Sequence, residues 1–194
     1  MRITLKRILS FIHYIEGLLI GAIFYRKVLS HKDYCHVEDP GWDRIRRAWF
    51  GQKIRGKNKR AIWPVSALSL IGEPTNLIID ESSEGNLMTS GLYLQCMDAK
   101  TIIGKDVFIA PNVGIITCNH DTNNPSEHLR GKDVIIGDNC WIGMNAVILP
   151  GVVLGGKTTV GAGAVVTKSF PEGNCVIAGN PARIIRKLEE SDND

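Results

Sequence analysis

A six-residue repeat between residues 103 and 170 constrains this chain more than any other feature. A helix repeats every 3.6 residues and a strand every 2, so neither explains a period of six. A short strand followed by a tight turn does, with an aliphatic side chain pointing inward and a small residue at the crowded corner. The repeat therefore predicts an all-β fold, a parallel β-helix of hexapeptides. Its aliphatic positions are Ile103, Ile109, Ile115, Ile136, Ile142, Ile148, Leu154, Val160 and Val166.

The repeat is interrupted between Ile115 and Ile136, which are 21 residues apart, or three sixes plus three. A regular coil cannot absorb the extra three residues, so residues 118–132 are predicted to form a loop. The loop contains His120 and His128. Functional side chains are often placed on loops that a rigid scaffold holds.

The length of 194 residues suggests one domain with an appended element. The predicted organisation is a helical, basic N-terminal segment over residues 1–60, a β-helix over residues 61–183, and a short C-terminal helix and tail over residues 184–194. The five cysteines form no CxxC or Cys/His pairing. Neither a zinc site nor a disulfide framework is expected, and reduced thiols suit a cytoplasmic protein.

The net charge of +3 conceals an asymmetry, because residues 1–60 hold 14 Lys and Arg against 5 Asp and Glu. This basic segment suits anionic lipid head groups or another polyanion, and a solvated basic face is the alternative. No nucleic-acid module accompanies it, so no nucleic-acid partner is expected. Asp39 to Gly41 is predicted to form a turn, and Asp43 to cap a short helix that ends at Phe50.

The run from Ile8 to Tyr25 is apolar but contains Glu16. A spanning helix needs about 20 apolar residues, and a secretory signal needs a cleaner core with a small-residue cleavage site. The pattern therefore favours a helix that packs on the protein or lies in a membrane surface, over one that spans a membrane.

Residues 90–188 resemble the hexapeptide-repeat acyltransferases, the left-handed β-helix family. Within it they are most similar to the maltose, galactoside and nodulation-factor O-acetyltransferases and related polysaccharide enzymes. The resemblance implies a left-handed coil, acetyl-CoA as co-substrate without a metal, and a homotrimer with active sites between subunits. The motifs that carry it are 109–113 (IAPNV), His120, 140–143 (CWIG), 161–168 (GAGAVVTK) and 179–186 (GNPARIIR).

The same resemblance implies roles for single residues. His120 occupies the position of the general base that takes the proton of the acceptor hydroxyl. The backbone near Met144 would stabilise the oxyanion, although sugar acetyltransferases commonly have serine there. Asp121 could orient His120, but adjacent residues rarely face each other well. The positions implied to bind the cofactor are Met144, Ala162, Thr167, Lys168, Arg183 and Arg186, and those implied to bind the acceptor are Ser90 and Asp98.

The resemblance implies O-acetylation of a saccharide or glycan hydroxyl. The long apolar and basic N-terminus suits a lipid-linked or polymer-bound acceptor and a cytoplasmic protein peripheral to the inner face of the membrane. N-acetylation of an amino sugar and a non-catalytic β-helix module are the alternatives. A zinc-dependent carbonic anhydrase of this fold needs three histidine ligands, and the repeat region has only two histidines.

Overall fold

The computed structural model describes residues 2–25, 29 and 40–188. The chain divides into two compact units, Met1–Ala67 and Leu68–Asp194. The predicted boundary after residue 60 lies before this division. Trp63 and Val65 are buried, and the Val65 amide donates to Gln52, which places the intervening stretch in the first unit.

The described part of the first unit contains two helices and a π-helical turn. They are α1 (Arg2–Phe24), α2 (Pro40–Trp49) and the π-helical turn Phe50–Ile54. The predicted turn through Gly41 and the cap at Asp43 are wrong, because α2 already begins at Pro40, a residue suited to a first helical turn. The Asp43 carboxylate instead lies inside that turn and pairs with Arg46 at 3.1 Å and Arg47 at 2.8 Å. Asp39 lies outside the described residues.

Gln52 organises the stretch from residue 51 to residue 65, although the sequence predicts a helical, basic segment that ends at residue 60 and a β-helix from residue 61. Its side chain is 1% exposed. Its Oε1 accepts from the Tyr25 hydroxyl at 2.8 Å and the Val65 amide at 2.9 Å. Its Nε2 donates to the carbonyls of Asn58 at 3.2 Å and Trp63 at 3.0 Å. One buried amide therefore satisfies four groups and fixes the end of this unit.

The second unit is a parallel β-helix of three sheets. The first sheet contains β1 (Leu70–Ile71), β3 (Tyr93–Leu94), β6 (Gly114–Ile115), β9 (Val147–Ile148) and β12 (Val165–Val166). The second contains β2 (Leu77–Ile79), β4 (Thr101–Ile103), β7 (Val134–Ile136) and β10 (Val153–Leu154). The third contains β5 (Phe108–Ile109), β8 (Trp141–Ile142), β11 (Thr158–Val160), β13 (Cys175–Ala178) and β14 (Arg183–Lys187).

From β3 to β12, consecutive strands pass through the first, second and third sheets in a constant order. In the first sheet the register aligns Leu94, Ile115, Ile148 and Val166, and all four are fully buried. The predicted parallel β-helix and its inward aliphatic positions are thus confirmed. A 3₁₀ helix, Glu81–Met88, replaces a strand in an early coil, where Asn86 bonds the backbone of Val107 and Ile109.

The predicted C-terminal helix from residue 184 is wrong, because Arg183–Lys187 forms β14, antiparallel to β13. The edge of the third sheet offers unpaired backbone groups, and the β-branched Ile184 and Ile185 suit a strand. The Leu188 amide closes this pair by donating to the Asn174 carbonyl at 2.7 Å. Residues 189–194 lie outside the described residues. Among those described, no helix is long and apolar enough to cross a membrane.

Candidate functional site

The excursion between β6 and β7 is a hairpin-like loop at one corner of the coil. We call four turns that lead from the first sheet towards the second, residues 95–100, 116–133, 149–152 and 167–169, the histidine corner. Within the loop His120 and His128 form an antiparallel bridge. The Asp121 amide donates to the Glu127 carbonyl at 2.9 Å, and the Leu129 amide to the Asn119 carbonyl at 2.8 Å. The predicted loop is confirmed, and its two arms pair with each other.

The ring of His120 is exposed but is held on two sides. Its Nδ1 lies 2.8 Å from the carbonyl oxygen of Pro125. A carbonyl oxygen only accepts, so Nδ1 carries the proton and Nε2 is the free nitrogen of the neutral ring. The His128 ring lies 4.2 Å away between centroids, tilted by 36°. The Asp121 carboxylate accepts from the Asn123 amide at 2.8 Å, so the Pro125 carbonyl, not Asp121, orients the imidazole.

The base of the loop is tied to the preceding coil. Gln95 Oε1 accepts from the amides of Thr117 at 2.9 Å and Cys118 at 2.8 Å. The Thr117 hydroxyl donates to the Met97 carbonyl at 2.8 Å. Asp98, a predicted acceptor-binding residue, takes the Gly131 amide at 2.9 Å through Oδ2. These bonds fix where both arms of the loop leave the coil.

Thr167 and Lys168 directly follow β12 and lie at the same corner as the loop. Both side chains are exposed. The Lys168 ammonium lies 5.6 Å from the centroid of the Phe170 ring, an attractive cation–π contact. The histidine corner thus carries an imidazole and, further along the coil, a hydroxyl and a cation.

Ser90, Met144 and Ala162 lie at another corner. We call the turns that lead from the third sheet to the first, residues 89–92, 110–113, 143–146 and 161–164, the methionine corner. Its backbone is stacked coil on coil, since the Asn112 amide donates to the Ser90 carbonyl at 3.1 Å and the Gly163 amide to the Met144 carbonyl at 2.8 Å. The Met144 side chain is 47% exposed.

Gly143 allows the coils to stack this closely at the methionine corner. A Cβ at Gly143 would lie 2.6 Å from the Ala162 amide nitrogen, closer than real Cβ contacts come. The backbone beside Met144 is therefore held against Ala162. Within one chain, the first sheet separates this corner from the histidine corner.

Arg183 and Arg186 lie on β14, at the edge of the third sheet, with exposed side chains. Their partners in the register are Ala178 and Val176 of β13. The preceding residue, Ala182, donates its amide to the Val165 carbonyl at 2.8 Å, which ties the start of β14 to β12. The two guanidinium groups therefore stand on a braced strand.

Metal or thiol chemistry has no support in the described residues. No group of three His, Cys, Asp or Glu side chains there could hold a metal ion. Burial raises the pKa of the Cys140 thiol, and also that of Cys96. A buried thiol with a raised pKa is a poor nucleophile.

Comparison with known proteins identifies a matching family model and similar proteins. Residues 133–168 match the family model described as bacterial transferase hexapeptide (six repeats). The galactoside O-acetyltransferase of Escherichia coli (strain K12) is 39% identical over 112 residues, which cover 56% of this chain and 55% of the relative. A protein of the same strain, assigned by its name to O-acetyl transfer in lipopolysaccharide biosynthesis, is 28% identical over 92% of this chain and 88% of its own length.

A similar solved structure is a hexapeptide-repeat acetyltransferase of Vibrio cholerae O1 biovar eltor in complex with acetyl coenzyme A. It is 26% identical, with a TM-score of 0.52, and the match covers 63% of this chain and 69% of that one. Apart from the lipopolysaccharide-related protein, this chain spans about half the length of the curated relatives that it matches. The resemblance to hexapeptide-repeat acetyltransferases is confirmed.

Proposed function

We propose that this protein transfers an acetyl group from acetyl-CoA to a saccharide or glycan hydroxyl, with His120 as the general base. The main observation behind the proposal is that the His120 imidazole has a fixed orientation. Pro125 fixes its tautomer and leaves Nε2 free on an exposed loop. The relatives support the reaction class, since the similar E. coli protein is named a galactoside O-acetyltransferase.

The proposed chemistry begins when Nε2 of His120 takes the proton of the acceptor hydroxyl. An alcohol is a weak nucleophile at neutral pH, and histidine titrates in the range that this proton transfer needs. The hydroxyl oxygen forms a bond to the thioester carbonyl carbon, whose oxygen becomes an oxyanion. Collapse breaks the carbon–sulfur bond, and the imidazolium returns its proton to the leaving CoA sulfur. The products are the acetyl ester and free CoA.

The backbone at Gly143 and Met144 is the proposed oxyanion donor, because it is rigid and a backbone amide survives the change from serine to methionine. Acetyl-CoA would then extend along Ala162 and past Thr167 and Lys168. Arg183 and Arg186 suit its phosphates, because guanidinium groups form paired hydrogen bonds with phosphate oxygens. No metal takes part in this proposal.

A left-handed coil and a homotrimer complete the proposed site. In a single chain the His120 loop and Met144 lie at different corners of the coil. A subunit interface that brings the histidine corner of one chain to the methionine corner of its neighbour would assemble the base and the oxyanion donor. Ser90, at the methionine corner, and Asp98, at the base of the loop, are the proposed acceptor-binding residues. Sedimentation equilibrium of the purified protein tests the trimer.

The proposed acceptor is a lipid-linked or polymer-bound glycan, met in the cytoplasm at the inner face of the membrane. The N-terminal unit supports this choice, and so does the similarity over 92% of the chain to a protein named for lipopolysaccharide biosynthesis. A panel of free sugars, amino sugars and lipid-linked glycans with radiolabelled acetyl-CoA identifies the acceptor and separates O- from N-acetylation.

The decisive variant is His120→Ala. We expect kcat to fall by about 10²–10⁴-fold, the range for loss of a general base, while CoA binding measured by calorimetry is kept. Asp121→Asn is the matched control, because an amide oxygen can still accept from the Asn123 amide, and it should keep near-normal turnover. Near-normal turnover of His120→Ala would overturn the assignment.

A further inference from the structure

One side of α1 is apolar and open to solvent along most of the helix. At 23 residues and about 1.5 Å per residue, α1 is roughly 35 Å long. Of its large exposed side chains, the most open are Ile23 at 71%, Leu19 at 61% and Phe11 at 57%. Among the residues of α1 whose exposure is described, Ile8 and residues 11–24, the exposed apolar ones are Ile8, Phe11, Ile12, Ile15, Leu18, Leu19, Ala22, Ile23 and Phe24.

This face is distinct from the one that packs inside the first unit. Gly17 and Gly21 are buried, one helical turn apart, and face α2. A Cβ at Gly17 would lie 3.1 Å from Trp42, and one at Gly21 would lie 3.1 Å from Ile45. At 100° per residue, the residues from Ile8 to Ile23 in the exposed set fall in one continuous arc of about 140°. No charged residue lies in that arc.

Cations lie at the C-terminal end of α1, outside the apolar arc itself. Residues 40–60 contain eight Lys and Arg and one acidic residue, Asp43. The Lys53 ammonium lies 6.0 Å from the ring of Phe24, at the end of α1. The Arg55 guanidinium lies 5.2 Å from the ring of Phe50, which is itself 51% exposed. Exposed aromatic rings and cations therefore occur together at the C-terminal end of α1.

The positive charge near this surface favours an anionic partner. A second copy would bring two surfaces of the same positive sign together, which costs energy. An anionic lipid surface offers apolar chains for the helix face and phosphates for the cations. We propose that α1 lies in the plane of an anionic bilayer surface, with the face from Ile8 to Ile23 inserted and the basic residues 44–60 on the head groups. This binding is independent of the acetyl transfer proposed above.

The test is co-sedimentation of the full chain with vesicles, in the absence of acetyl-CoA and acceptor. We expect binding to vesicles that contain phosphatidylglycerol, weakening of that binding by salt, and much weaker binding to pure phosphatidylcholine. The double variant Leu19→Glu with Ile23→Glu should bind at least about tenfold more weakly, because carboxylates resist entry into lipid. Leu19→Ala with Ile23→Ala, which favours helix, should give a smaller loss in the same direction.

Arg55→Gln with Lys59→Gln should weaken binding to the anionic vesicles by about fivefold per cation, or about 25-fold together. Ile78→Glu, at an apolar side chain of the second unit that is 47% exposed, is the matched control and should bind like wild type. Vesicle binding that is absent, or equal in all variants, would overturn the proposal. So would a change in oligomeric mass in the α1 variants with vesicle binding unaltered, which would assign the face to a second copy. Neither result bears on acetyl transfer, which is measured separately on soluble acceptors.

Discussion

Gln95 offers a sharp test of how the coil positions the histidine loop, residues 116–133. Its Oε1 accepts from the amides of Thr117 and Cys118, and those residues are 0% and 3% exposed. Gln95→Met keeps the shape of the side chain and removes the acceptor. Each buried donor left unsatisfied costs about 1–3 kcal/mol, so losing both bonds costs roughly 2–6 kcal/mol. That cost falls on the entry to the loop, where both amides lie.

A cost of roughly 2–6 kcal/mol raises the population of open loop conformations by about 30-fold to 3 × 10⁴-fold. Hydrogen exchange measured by mass spectrometry should show faster exchange for peptides within residues 116–133 in Gln95→Met, with peptides from β8 to β12 unchanged. The kcat for acetyl transfer should fall at least about tenfold, because His120 is no longer held in place. The dissociation constant for CoA should stay near that of wild type.

Gln95→Glu is the matched control, because a carboxylate oxygen in the same place still accepts from both amides. Its loop exchange and kcat should lie near those of wild type. If Gln95→Met exchanged and turned over like Gln95→Glu, the two hydrogen bonds would not hold the loop and the reasoning would fail.

Three further predictions follow. In thermal melts Gly155→Ala should lower the free energy of unfolding by about 3 kcal/mol, because its Cβ would meet the backbone of Pro171 and Gly173. Gly163→Ala, with φ +69° and open space around the Cβ, should lower it by about 1 kcal/mol. Equal losses in the two variants would contradict this. His128→Ala should lower kcat about tenfold with KM unchanged, because the His128 ring lies against that of His120. His128→Phe keeps a ring there and should recover most of the loss. Equal kcat in the two variants would exclude positioning by stacking. Burial raises the pKa of the Cys140 thiol, so the stability that the thiol contributes is present below about pH 8.5 and is lost as pH rises through the folded-state pKa. The difference in urea unfolding free energy between wild type and Cys140→Ala should therefore shrink from pH 7 to pH 10. A difference that stays constant over this range would refute the prediction.

The β-helix could be predicted because its determinants are local and repeated. Each coil needs an inward aliphatic residue at the same place, and the buried ladder from Leu94 to Val166 shows that this requirement was met coil after coil. The loop could also be predicted, because the six-residue repeat is interrupted there. Residues 118–132 leave the coil at the single turn between β6 and β7.

The predictions for the C-terminal helix and for the start of α2 are wrong because both regions depend on tertiary context. Residues 184–190 have the charged and aliphatic composition of a helix start, yet residues 183–187 pair with β13, because the last coil leaves an open sheet edge. In the first unit, α2 begins at Pro40, and the basic stretch after it is organised by the buried Gln52. Bonds from Gln52 to Trp63 and Val65 cannot be read from a window of local sequence.

The histidine loop shows the same limit at the level of single side chains. The position of His120 in the motif order identified it as the candidate base. The register that brings His128 to it depends on how the two arms pair, and only the turn residues Asn124 and Pro125 between the histidines could have suggested a hairpin. The bond from Asp98 to Gly131 joins residues 33 apart in sequence, so its role in closing the loop was not visible.

The regularity of the coil explains why its chemistry must lie at corners and in interruptions. Every strand gives one face to the aliphatic core, and the glycines at the turns are crowded by the next coil, as Gly143 is by Ala162. A side chain that reacts needs exposure and a fixed direction at once. The histidine loop obtains exposure by leaving the coil and direction from the Pro125 carbonyl, the His128 ring and the Gln95 bonds at its base. The methionine corner lies across the first sheet from this loop in the same chain, so a site that uses both corners needs a second subunit. A monomeric variant should therefore turn over poorly.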